Sequence, residues 1–107
     1  MSYIEAKSGH WIGYYLQYNE RHVFSVNIHF EADTVNGSGD DEIGTFSISG
    51  SFNPLTGDIS FLKRYHGAHA VNYSGKVTSD GCSMSGQYSV GGFGDDFNMS
   101  VNTWENF

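Results

Sequence analysis

The chain has one cysteine, one proline and only five lysines and arginines in 107 residues. With Cys82 alone no internal disulfide can form, which fits a reducing compartment, and a cytoplasmic location is the expectation. The opening MSYIEAKSGHW has neither a basic start nor an apolar run, so no secretory signal is expected there. No stretch approaches the ~18 consecutive apolar residues of a membrane-spanning helix. Twelve acids against five cations leave a net charge of −7, which works against nucleic acids and anionic membrane surfaces as partners. EF-hand spacing is missing, no segment of useful length repeats at the helical period, and no motif calls for a cofactor.

What is present is glycine, fourteen residues, together with aromatics and Ser/Thr, the composition of an all-β chain. Strict alternation is the main signal. Phe24, Val26, Ile28 and Phe30 share one face. Phe46, Ile48, Gly50 and Phe52 do the same, and so do Val71, Tyr73, Gly75 and Val77, then Met84, Gly86, Tyr88 and Val90, then Phe97, Met99 and Val101. Turn residues separate these runs at 19–21, 32–33, 39–42, 54–57, 66–68, 79–81 and 91–95. The pattern predicts eight strands near 10–18, 22–31, 34–39, 43–53, 58–65, 69–77, 82–90 and 96–103. Short connections make sequence neighbours pair antiparallel. One apolar face per strand over eight strands buries itself by curling, so the expected fold is an eight-stranded antiparallel up-and-down β-barrel. A two-sheet sandwich is the alternative. The organisation read from this is a flexible lead-in over 1–9 and one barrel domain over 10–104.

Strand order sorts the loops into two ends. Loops 19–21, 39–42, 66–68 and 91–95 share an open end, and the tight turns 32–33, 54–57 and 78–81 share the other. Toward the open end the inward positions turn polar: Tyr15 and Gln17 on the first strand, Lys63 and Tyr65 on the fifth, His69 and Tyr73 on the sixth, Tyr88 on the seventh. These seven are the candidate ligand-binding residues, above an apolar floor of Phe24, Ile28, Phe46, Ile48, Phe61 and Val71. An inward lysine is rare unless paired or near water. His66 and His69 are three apart, but His66 falls in a turn, so the pair makes a poor metal site and no metal is expected. A histidine bonded to a carbonyl or a tyrosine is the plainer reading. Asp40, Asp41, Glu42, Asp95 and Asp96 read as an acidic rim, either solvated or able to hold Ca²⁺. Cys82 reads as a small inward core residue.

Trp11-Ile-Gly13 on the first strand, Gly50, Phe52, Ala68-His69, Ser74-Gly75 and Gly86-Gln87-Tyr88 together resemble the avidin–streptavidin branch of the calycin barrels over residues 10–103. The resemblance implies the barrel, a ligand at its open end and a possible oligomer. It does not carry biotin with it. Tyr73 stands where the family has a tryptophan, only Trp11 and Trp104 are present, and Gly39-Asp40-Asp41-Glu42 replaces a long loop. The expected function is therefore non-enzymatic binding of a small molecule. The alternatives are a lectin-like carbohydrate-binding oligomer, associating through outward rows such as Thr45, Ser47, Ser49 and Ser51, and a small barrel isomerase or cyclase using Lys63 and His69. Large side chains filling the barrel would leave a purely structural domain.

Overall fold

The computed structural model describes residues 3–102. Eight strands follow one another: β1 Gly9–Gln17, β2 Glu20–Glu31, β3 Thr34–Asp41, β4 Thr45–Phe52, β5 Asp58–Tyr65, β6 Ala70–Val77, β7 Ser83–Val90 and β8 Phe93–Val101. Each pairs antiparallel with the next, and β1 closes on β8 from Trp11↔Val101 to Tyr15↔Phe97. The fold is thus the up-and-down barrel and not the sandwich. An eight-stranded barrel has an interior just wide enough for side chains to fill, and here they fill most of it. The interior holds Trp11, Val26, Ile28, Val35, Phe52, Ile59, Phe61, Met84, Phe97 and Met99, all buried. Trp104 lies outside the described residues.

Most strand boundaries differ from the sequence reading by one to three residues, and two of these differences shape the site. β3 runs on to Asp41 instead of stopping at 39, and β8 starts at Phe93 instead of 96. The β7–β8 connection is only Gly91-Gly92, at φ 53° and 83°, the left-handed pair of a two-residue hairpin turn. Asp95 and Asp96 therefore lie on a strand, opposite Tyr88 and Gln87, and not in a loop.

The bends come from glycines opposite one another. Gly75 on β6 faces Gly86 on β7, and a Cβ on Gly75 would collide with the Ser85 carbonyl oxygen. Neither backbone can yield without breaking the ladder. Gly75→Ala is expected to lower stability by about 1–3 kcal/mol, the usual penalty of overpacking, read as a lower urea midpoint at unchanged slope.

Residues 4–8, read from sequence as part of the lead-in, lie across the end opposite the mouth. Ile4 N–H donates to the Pro54 carbonyl at 2.8 Å, Lys7 N–H to that of Gly81 at 3.0 Å, and the Lys7 carbonyl accepts the Trp11 indole N–H at 2.8 Å. Cys82 is not a core residue. It is half-buried in the β6–β7 turn, where its N–H donates to Asp80 Oδ1 at 3.0 Å and its Sγ–H to the Asp80 carbonyl at 3.4 Å.

Candidate functional site

The mouth is formed by the turns 18–19, 42–44, 66–69 and 91–92. Alternation along β5 turns Phe61, Lys63 and Tyr65 inward, so a lysine enters the barrel two positions above a phenylalanine. Its side chain is 1% exposed. The Lys63 ammonium lies 4.2 Å from the Phe24 ring centroid and 4.4 Å from that of Phe46, with Tyr15, Tyr65 and Tyr73 at 5.0, 5.1 and 5.6 Å. Ring faces attract a cation, and more strongly when water is absent. They do not replace a counter-ion.

That counter-ion is Asp41. β3 places Val35, Gly37, Gly39 and Asp41 on one face, and the Asp41 side chain enters the mouth fully buried. Its Oδ2 accepts from Lys63 Nζ at 2.8 Å and from the Tyr65 hydroxyl at 2.5 Å, and its Oδ1 accepts from the N–H groups of Ile43 and Gly44 at 2.9 and 3.3 Å. Asp41 therefore does not belong to a solvated rim: it is the inner half of an ion pair. Burial pushes its carboxyl pKa up, but the hydrogen bonds from Lys63 and Tyr65 and the Lys63 charge outweigh that and hold it below the usual carboxylate value. Burial pulls the Lys63 pKa down, with Asp41 working against the shift. The adjacent Glu42 bonds to His22, whose ring stacks on Tyr15 at 5.1 Å. The β3–β4 turn is thus tied down from both sides.

Above this pair a cavity of about 90 Å³ opens at the mouth. Six of the seven sequence-predicted residues line it: Tyr15, Gln17, Tyr65, His69, Tyr73 and Tyr88. The seventh, Lys63, lies beneath, committed to Asp41. Ile43, Val71, Val90 and Phe93 complete the wall. His69 does not enter the barrel as a strand residue. It sits exposed in the β5–β6 turn, its carbonyl accepting the Tyr65 N–H at 3.1 Å and its ring 5.0 Å from Tyr65. His66 is turned outward onto Thr45 Oγ1 at 3.0 Å. Among the described residues no three His, Cys, Asp or Glu side chains come together as a metal site would need.

The tyrosine hydroxyls divide by task. Tyr65 donates to Asp41, and Tyr88 to the Leu16 carbonyl at 2.5 Å. Tyr73 is 3% exposed, lines the cavity, and has no hydrogen-bond partner for its hydroxyl among the described residues. Burial, with the charges of Asp41 and Glu42, pushes Tyr15 up to about 12. Burial is also the main cause of the upward shifts of Tyr65, Tyr73 and Tyr88, the last helped by Asp95. Asp41, Glu42 and Asp95 add to these shifts after burial.

Residues that the sequence reading misses are Asp41 as an inward group, and Ile43 and Phe93 as wall. A signal for Asp41 exists: continuing the β3 alternation by one step turns it inward, and the buried Lys63 requires a partner. Comparison of the chain with protein-family models, with curated proteins and with solved structures returns no match.

Proposed function

We propose that the protein is a non-enzymatic binder of small ligands, an avidin-like barrel in arrangement, whose site is the mouth cavity. One observation carries the reading: Tyr73 is a buried residue on the cavity wall, and its hydroxyl has no partner among the described residues. The hydroxyl itself is not sealed off: it opens to the cavity, where a ligand would take the place of water. The volume of about 90 Å³ falls well short of the roughly 300–1,000 Å³ that encloses a drug-sized molecule. The ligand is therefore small, or enters with one end only. An intact biotin does not fit.

Native mass spectrometry of freshly purified protein beside Val90→Trp tests this. Val90 is on the wall, and an indole there fills the cavity. A bound mass carried by the wild type and lost in the variant is expected. A bound mass kept by Val90→Trp moves the site elsewhere and overturns the reading.

Glycan binding is the second reading. An open trough of about 830 Å³ on the outer wall, with Asn53, Asp58, Ser60, Ser74 and Lys76 among its lining, offers the hydroxyl, amide and charged groups that sugars use. Glycan-array binding that survives Val90→Trp would favour it. Catalysis by Lys63 and His69 has less support, because the Lys63 ammonium is engaged by Asp41 and His69 is exposed at the rim.

A further inference from the structure

We infer that the group the mouth takes in is a small cation, an alkylammonium head of the trimethylammonium kind, held by the aromatic wall as in a cage. The inference rests on the mouth being the binding site. Four observations lead to it. The wall is built mainly of rings: Tyr15, Tyr65, Tyr73, Tyr88, Phe93 and the His69 imidazole. Three of these, Tyr15, Tyr65 and Tyr73, already surround an ammonium, that of Lys63, at 5.0–5.6 Å, so the ring set is suited to this charge. The Lys63 charge is neutralised by Asp41, which leaves the remaining carboxylates uncompensated from inside the barrel. Asp95, opposite Tyr88 in register on β8, does not line the cavity and adds its charge only from the flank, its Oδ1 accepting the Asp96 N–H at 2.8 Å. Lastly, the Tyr73 hydroxyl oxygen has its lone pairs unused and can turn its negative end toward a cation.

Size agrees. A cavity of about 90 Å³ has the liquid volume of about three waters, enough for a compact head group and not for the molecule behind it. The rim beyond carries two exposed apolar side chains, Tyr18 and Ile43, with the Tyr18 ring 5.4 Å from Phe93. Tyr18 holds φ 51°, a conformation uncommon for a bulky residue. An anionic head of the same size would meet the same rings with the wrong sign.

The test compares three probes of nearly one shape on the intact chain: choline, its neutral carbon isostere dimethylbutanol, and trimethylacetate. Amide shifts of Gln17, Ile43, His69 and Phe93 are followed by NMR. The expected result is saturable shifts with choline, at least about tenfold weaker binding of dimethylbutanol, and no binding of trimethylacetate. Phe93→Leu should weaken choline by about two- to thirtyfold, the range expected for a cation over one ring. If that variant does not fold, the isostere comparison on the wild type stands by itself. Dimethylbutanol binding as tightly as choline, or trimethylacetate binding more tightly, overturns the cation inference and leaves the mouth as a site. If no probe shifts a mouth amide, the inference falls, and the mouth reading is decided separately by the bound mass in Val90→Trp.

Discussion

Asp41→Asn is expected to cost about 3–5 kcal/mol of stability, the penalty for leaving one member of a buried ion pair without the other. Against the roughly 5–15 kcal/mol that a domain has in total, this is a large fraction. The cause is specific. Lys63 is 1% exposed and its ammonium has one carboxylate, at 2.8 Å. The asparagine amide in this variant would turn either its oxygen or its NH₂ toward Lys63 and Tyr65, and neither satisfies a full positive charge. Lys63→Met should cost less, because Asp41 keeps the Tyr65 hydroxyl and the N–H groups of Ile43 and Gly44. The double variant Asp41→Asn/Lys63→Met should recover most of the loss, since exchanging a buried pair for neutral groups is often close to neutral. Guanidinium unfolding of the four proteins measures all three differences. An Asp41→Asn stability within about 1 kcal/mol of wild type would mean that the pair is not formed in solution.

Alkaline pH should unfold the protein cooperatively. A group whose folded pKa is raised contributes stability that is fully present below its unfolded pKa and is lost as pH rises through the folded one. Tyr15, Tyr65 and Tyr73 are shifted upward, mainly by burial, Tyr15 to about 12. Above the unfolded value of about 10, the unfolded chain releases protons that the folded chain retains. Each such tyrosine then removes at most about 1.4 kcal/mol per pH unit, at most about 4 for the three together, and less where solvent reaches the ring. At that limit a typical net stability is exhausted near pH ~12. Lys63 works in the opposite direction. Its pKa is lowered on folding, so stability gains from it as pH rises toward about 10.4 and nothing beyond. The curve should therefore hold level or rise slightly up to about pH 10 and fall steeply afterwards. The phenolate absorbance of these three should rise in one step with the loss of near-ultraviolet dichroism. Gradual ionisation of these tyrosines within an intact fold would contradict their burial.

Both expectations centre on residues that the sequence reveals unevenly. Alternation through Phe24–Phe30 and Phe46–Phe52 is enough to orient whole strands, because in a closed barrel the inner face is apolar along most of its length. The polar half is harder. Tyr15, Tyr65, Tyr73 and Tyr88 can be placed because tyrosine keeps the apolar phase of its strand. Asp41 escapes, because Gly-Asp-Asp-Glu has the composition of a loop, and charge inside a strand runs against the ordinary burial pattern. The resolution lies in a second residue: an inward Lys63 needs a counter-charge, and among the nearby carboxylates Asp41 carries the inward phase of β3. Gly91-Gly92 reads as part of a longer loop, although two left-handed glycines are the shortest hairpin. That longer loop keeps Phe93 and Asp95 off the strand. His69 misses its strand by one residue, since the bond from the Tyr65 N–H to the His69 carbonyl closes the turn there. The size of the cavity is not legible at all, because it depends on how the inward aromatic side chains divide the interior.

The claim that ligand binding resides at the mouth is tested most directly by amide NMR of the wild-type protein against a library of small fragments. The account predicts shifts grouped at Tyr15–Gln17, Ile43, Tyr65–Tyr73 and Tyr88–Phe93, with the strands at the opposite end unmoved. Shifts grouped instead on the outer faces of β4, β5 and β6 would contradict it, and so would a library that leaves every mouth amide in place.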